Sequence, residues 1–348
     1  MSSEDIHDRE RPATRNERSV TVADVARLAD VSTAAVSFYF SNRQEHLKRV
    51  GTEARERIRA AVEELGYVQN KTARHLRRQQ SERICIVLPK LGIPYADKMV
   101  HDLGSVAVQQ GLLPIVLTGS TIGAVQKILG EVEAGLADGV IAEVGFLTEE
   151  QVGQVFAHFN RPCLVIHPTA QPRSYSVLNN GLIDALECAF DDLLHKGHRD
   201  FVYIQNAEMP HNPRISALKA RAVTAGLSVL ITTMVGADAR EATAGCARQI
   251  AEMAKRPTAI LLDSDYTAVT LIEEFSRLGI RVPSDIAVLG CGNAEEGFYC
   301  NPRLTTIGPE WLSLLEAGQH LIESLAAQKP VGAKAFYTPW RFIPRESA

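Results

Sequence analysis

The 348-residue sequence lacks any uninterrupted apolar run near the roughly 18 to 20 residues that a membrane-spanning helix needs. Its first 19 residues are charged throughout and lack the apolar segment of a secretory signal. Both absences point to a cytoplasmic protein with no membrane partner. Its six cysteines (Cys85, Cys163, Cys188, Cys246, Cys291, Cys300) form no C-x-x-C pair and no Cys/His cluster at metal-ligand spacing. Buried reduced thiols are expected, with no metal and no cofactor. No G-x-G-x-x-G or G-x-x-x-x-G-K-[ST] follows an apolar run, and there is no G-x-S-x-G elbow, so dinucleotide, nucleotide and hydrolase chemistry has no fingerprint. With no nucleophile, base or metal set at catalytic spacing, the chain is expected not to be an enzyme. Hydrophobic residues at 45% and charged residues at 22% exclude fibrous and wholly disordered classes, and the length fits two or three domains.

What is present is an uneven charge. The net charge of -4 argues, as an average, against nucleic acid. Residues 18 to 80, however, carry twelve Lys/Arg against seven acids, a balance of +5, while residues 81 to 348 stand at -7. A small basic module on an acidic body suits a protein of which one part meets phosphates and the other does not.

That basic module reads as three short helices. Thr21 caps the first, with Asp24 placed to return the bond, and Val22, Val25, Ala26 and Leu28 form its apolar stripe. Asp30-Val31 breaks the pattern and Ser32 caps a second helix running to about Ser41. After a polar loop Thr52 caps a third, where Ile58, Ala61, Val62 and Leu65 recur at helical spacing before Gly66. Three helices around one small core are the minimum helix-turn-helix module, whose second helix enters the major groove. From Arg83 the pattern changes to short apolar runs, at 84–89, 113–119, 139–144, 162–168, 200–205, 258–265 and 285–291, with helical stretches between them. Strand and helix in alternation predict an α/β body of doubly wound parallel sheets in two lobes, with ligand in a crevice at the strand carboxyl ends.

Asp24-Val25-Ala26, Ala29-Asp30-Val31-Ser32, Ala35-Val36-Ser37, then Arg55, Ile58, Ala61, Leu65-Gly66-Tyr67, Asn70, Ala73-Arg74 and Leu76 together resemble the LacI/GalR transcriptional repressors. Later matches include Asp138-Gly139-Val140-Ile141, Gly197-His198-Arg199, Val282-Pro283-Ser284-Asp285-Ile286 and Leu304-Thr305-Thr306-Ile307. The resemblance implies a homodimeric, sequence-specific regulator, most simply a repressor. It would bind a near-palindromic double-stranded operator under control of a small-molecule effector, a sugar or other metabolite. It also implies a helix-turn-helix domain at 19–68 behind a disordered tail (1–18), a hinge helix and linker at 69–82, and a periplasmic-binding-protein-like effector and dimerisation domain at 83–342. In that domain lobe 1 takes 83–167 and 309–335, lobe 2 takes 168–308 and 336–342, and 343–348 is a tail. The chain would cross between lobes near His167, Pro309 and Ala335.

For the DNA interface the candidates are Thr21, Ser32, Thr33, Ala34, Ser37 and Phe38 at the reading helix, with Arg43, Lys48 and Arg49 as phosphate contacts. In the hinge they are Asn70, Ala73, Arg74, Leu76 and Arg77, with Leu76 at the family's minor-groove wedge position. For the effector they are Tyr95, His167, Arg214, Ser264, Asp265 and Asn293. Four departures stand out. Phe38 replaces the family's usual Arg, Asn42 to Lys48 lengthen the loop before the third helix, Gln69 replaces the hinge proline, and Gly292 stands where an Asp often grips sugar hydroxyls. The last leaves open a regulator that has lost its effector.

Overall fold

The computed structural model describes residues 20–40, 48–68, 80–206, 212–234, 238–309, 311–327 and 332–348. It divides into two compact units, 1–79 and 80–348.

In the first unit α1 (Val22–Leu28) begins with the expected reciprocal cap: Thr21 Oγ1 accepts from Asp24 N–H at 3.3 Å and Asp24 Oδ2 accepts from Thr21 N–H at 3.0 Å. Helix α2 (Thr33–Tyr39) is capped by Ser32, whose Oγ accepts from Ala35 N–H at 3.1 Å, and it stops short of Ser41. Helix α3 (Thr52–Leu65) differs at its start: Gly51 is the cap and Thr52 is already helical, with no side-chain bond. Gly66 closes α3 in the left-handed conformation, as a glycine can without Cβ strain. The core is Val25, Ala26, Ala29, Val36, Val50, Ile58, Ala61 and Tyr67. Leu28 is exposed after all: Val22, Val25, Ala26 and Ala29 share the i, i+3, i+4, i+7 face that meets the core, and Leu28 lies off it.

The second unit holds two six-stranded sheets. Sheet 1 combines β1 (Arg83–Leu88), β2 (Leu113–Thr118), β3 (Gly139–Glu143), β4 (Cys163–Ile166), β5 (Ser176–Asn180) and β11 (Ala335–Thr338), in the order β11-β5-β4-β3-β1-β2, all parallel. Sheet 2 combines β6 (Phe201–Asn206), β7 (Val229–Met234), β8 (Ala259–Leu262), β9 (Ala287–Cys291), β10 (Thr305–Pro309) and β12 (Trp340–Ile343), in the order β12-β10-β9-β8-β6-β7. Only β12 runs antiparallel, against β10. The apolar runs are continuous because helices cover both faces, and alternate residues serve opposite cores. Cys85, Val87, Val140 and Ala142 pack on one side of sheet 1, Ile84, Ile86, Leu88 and Ile141 on the other. Asp138 fastens the entry to this unit, accepting from Ser81 N–H at 2.7 Å and Glu82 N–H at 2.8 Å.

The connecting helices used below are α4 (Pro94–Gln109), α5 (Ile122–Glu131), α6 (Glu149–Phe156), α7 (Leu182–His195), α8 (Pro213–Thr224), α9 (Ala239–Ala251), α10 (Asp265–Arg277), α11 (Glu296–Tyr299) and α12 (Trp311–Ala326). Two crossings between the sheets differ from expectation. Residues 176–178 pair with β4 and 177–180 with β11, so the first crossing lies at Gly181 rather than near His167, and β11 keeps the chain in sheet 1 up to Thr338 rather than Ala335. The middle crossing follows Pro309, after which α12 packs on α4. Nor are residues 343–348 a loose tail. Ser347 is fully buried, its Oγ donating to Val288 O at 2.6 Å and accepting from Thr305 N–H at 2.8 Å.

Candidate functional site

The first unit exposes most of the residues expected to read DNA. Ser32, Thr33, Ala34 and Ser37 are all exposed along α2, as groups meeting bases or phosphates must be. Ser37 Oγ donates back to Thr33 O at 2.9 Å, and Thr21 Oγ1 donates to Asp24 Oδ2 at 2.6 Å, so both hydroxyls also serve their own helices. Phe38 is half-buried against the small core, and the Arg49 guanidinium lies 5.7 Å from its ring centre. Lys48 and Arg49 are exposed. Arg43, Asn70, Ala73, Arg74, Leu76 and Arg77 lie outside the described residues.

In the second unit a cavity of about 330 Å³ opens between the carboxyl ends of the two sets of strands. Three of the six expected effector residues line it: Tyr95, Arg214 and Ser264. Arg214 follows the Asn212 cap of α8, and its Nη1 donates to Asp263 O at 3.2 Å. Tyr95 lies in the first turn of α4, its ring tilted against Trp340 at 5.8 Å. Ser264 caps α10, accepting from Tyr266 N–H at 3.2 Å.

The other three are employed elsewhere. His167 is 2% exposed, with Nε2 2.9 Å from Leu147 O and Nδ1 accepting from Thr169 and Ala170 N–H at 3.1 and 2.9 Å. Those partners fix a neutral ring protonated on Nε2, and burial lowers its pKa. It is a loop brace. Asp265 is 1% exposed and faces the sheet: Oδ1 accepts from Thr306 Oγ1 at 2.5 Å and Oδ2 from Ala294 N–H at 2.6 Å. Burial pushes its carboxyl up to about 6 despite those bonds. A Cβ at Gly290 would collide with the same carboxylate, which is why β9 has a glycine there. Asn293 turns outward, its Oδ1 accepting from Arg345 Nη2 at 2.7 Å.

Sequence reading missed Glu143, Asn180, Asp263, Cys291 and Trp340 in the cavity wall. Glu143, Asp263 and Cys291 end or follow strands β3, β8 and β9, so the rule that ligands meet strand carboxyl ends could have found them. Asn180 also ends a strand, β5, but that strand is not an apolar run, and nothing local marks Trp340. Burial pushes the Glu143 carboxyl up, opposed by Gly145 N–H at 3.2 Å and by the Arg214 charge across the cavity. Burial also raises the Tyr95 hydroxyl, with Glu143 adding to it, and takes the Cys291 thiol to about 12.

A helix-turn-helix reader joined in one chain to a two-lobed sensor with a cavity at its strand ends defines a ligand-responsive transcriptional regulator as the class. Residues 21–70 match the model of bacterial regulatory proteins, lacI family, and residues 190–348 the periplasmic binding protein-like domain. Both parts of the chain are thus similar to those of LacI-family regulators. It is 27% identical over 331 residues to the transcriptional repressor CytR of Escherichia coli K12, covering 91% of this chain and 93% of that protein. It is 23% identical over 338 residues to catabolite control protein A of Priestia megaterium, covering 94% and 99%. Among solved structures the lac repressor dimer bound to operator and the anti-inducer ONPF superposes with a TM-score of 0.75 at 22% identity, covering 95% of this chain and 99% of that one. A CelR–cellobiose complex gives 0.62 at 19%, covering 94% and 100%. Among the described residues no helix is long and apolar enough to cross a membrane.

Proposed function

We propose that this chain is a sequence-specific DNA-binding repressor that acts as a homodimer on a near-palindromic operator, in the cytoplasm, with operator affinity set by a small molecule in the interlobe cavity. The observation carrying this reading is the pairing, in one chain, of an exposed Ser32–Ser37 reading face with a cavity that brings Tyr95, Glu143, Arg214 and Asp263 together from both sheets. Thr33, Ala34, Ser37 and Phe38 read bases, and Thr21, Arg43, Lys48 and Arg49 hold phosphates. Asn70, Ala73, Arg74, Leu76 and Arg77 form the hinge contacts, with Leu76 as the wedge. Lacking the Arg usual at position 38, the reader favours apolar contact with a thymine methyl there. The protein acts as a binder and not as an enzyme: its relatives are transcriptional regulators, and the one thiol in the cavity wall, Cys291, is held protonated by burial.

Coupling requires the ligand to favour one arrangement of the lobes. Selection of bound DNA from a random pool identifies the operator, and titration of metabolites into that complex then measures the coupling. The reading expects at least one ligand that binds the cavity and shifts operator affinity. A second reading, a regulator independent of any effector, is favoured by Gly292, which offers no side chain where the family often has an Asp. Binding of a ligand in the cavity with no change in operator affinity or its salt dependence would establish that second reading.

A further inference from the structure

Two buried polar atoms in the cavity wall have no hydrogen-bond partner: the Asn180 carbonyl oxygen Oδ1 and the Trp340 indole Nε1. Asn180 ends β5, immediately before the chain leaves sheet 1 at Gly181, and Trp340 opens β12, immediately after the chain enters sheet 2. The two crossings touch, since a Cβ on Gly181 would come within 3.2 Å of the Trp340 backbone nitrogen. Trp340 is 8% exposed. A buried group left without a partner is costly, so each is a position where a ligand gains by supplying one.

Their polarity is fixed. An indole N–H only donates and a carboxamide oxygen only accepts. The same pairing recurs with charges: Glu143 ends β3 and Arg214 lies in the first turn of α8, and the Arg214 charge acts on the Glu143 carboxyl. The rest of the wall is apolar at Leu88, Ile93, Met99, Leu182 and Met234 and polar at Lys90, Asp238, Asp263, Ser264 and Thr267. Asn180 with Trp340, and Glu143 with Arg214, each set an acceptor beside a donor, which suits a ligand that carries both rather than one of a single charge. An N–H beside a carbonyl or carboxylate matches the fixed polarities.

We propose that the cavity takes a compact, overall uncharged nitrogen compound carrying N–H donors beside carbonyl or carboxylate acceptors on an apolar body, and that Asn180 and Trp340 are the subsite that recognises it. The proposal rests on the effector reading above and narrows its ligand. Two sources share this chemistry, apolar α-amino acids and cyclic amides.

The test is thermal shift and calorimetry on the full chain with four sets of probes. These are L-leucine and L-phenylalanine; uracil and 2-piperidone; glucose and ribose; citrate and ribose 5-phosphate. One of the first two sets is expected to raise the melting temperature saturably. Trp340→Phe, which keeps an aromatic side chain and removes the indole N–H, is expected to weaken that probe about tenfold. Asn180→Leu should do the same, and melting of each free variant checks that it folds; if Asn180→Leu does not, Trp340→Phe alone decides. Binding confined to the sugars or to the anions overturns the proposal, as does no binding in any set, or a nitrogen probe whose affinity Trp340→Phe leaves unchanged. Operator affinity measured alongside separates the two readings. A sugar that shifts it sinks the ligand class and leaves the effector reading standing, whereas a Trp340-dependent amino acid or amide that does not shift it sinks the effector reading alone.

Discussion

At Asp265 the fold encloses an acid where burial opposes its charge. Its carboxyl sits at about 6, above the ordinary 3.8, so the native chain holds this proton more tightly than the unfolded one. The resulting stability is fully present below about pH 4 and is lost as pH rises through about 6. Asp265→Asn cannot ionise. The stability of the variant relative to the parent is therefore expected to improve by on the order of 3 kcal/mol between pH 4 and pH 7, read from urea unfolding at each pH. A difference that does not vary with pH would show that this carboxyl does not titrate in that window. The same residue shows how far a sequence motif reaches. Ser264-Asp265 and Arg214 were legible as a strand end and a helix start, and Arg214 and Ser264 do line the cavity. Which way Asp265, His167 and Asn293 face was not legible, because that depends on partners 20 to 52 residues away, such as Leu147, Thr306 and Arg345.

Elements were legible where one physical signal dominated. The strands β1, β3, β4, β6, β8 and β9 are continuous apolar runs because both their faces are covered. Strand β5, Ser-Val-Leu-Asn-Asn, mixes polar residues because its end faces the cavity, and β7, Val-Leu-Ile-Thr-Thr-Met, is only partly buried because it lies at the edge of sheet 2. Missing β5 moved the expected crossing from Gly181 to His167. The carboxyl-terminal segment was also opaque, since Arg345-Glu346-Ser347-Ala348 has neither strand nor helix periodicity. Its order comes from long-range bonds: Val288 N–H donates to Ser347 O at 2.7 Å, and Arg303 pairs with Glu346 at 2.7 Å. That pair is exposed and adds little. Ser347 Oγ, fully buried, joins β9 to the start of β10. Ser347→Ala leaves Thr305 N–H without its acceptor and is expected to cost about 1–3 kcal/mol in chemical denaturation. Arg303→Ala, which removes the partner of Glu346 on that segment, should cost well under half of that. Equal losses would mean that the surface pair, rather than the buried hydroxyl, holds the segment.

At the scale of the whole molecule the net charge of -4 divides into +5 on residues 18 to 80 and -7 on residues 81 to 348. The division assigns salt dependence to one function and not to the other. DNA affinity falls with salt in proportion to the phosphates neutralised, since bound cations leave the duplex when Lys and Arg arrive. A ligand without net charge in the interlobe cavity releases no such ions. Lys48, exposed ahead of α3, is a phosphate contact in the proposed interface. Lys48→Ala is therefore expected to weaken specific and non-specific DNA alike and to flatten the slope of log affinity against log salt by about 1 for each half-site contacted. Ser37→Ala, on the reading face, should leave that slope unchanged while altering preference among operator variants. The measurement is operator binding over a salt series with the specific site and with a scrambled duplex. If Lys48→Ala changed preference among sequences and left the slope alone, the loop before α3 would be reading bases and the assignment of Lys48 to phosphate would be wrong.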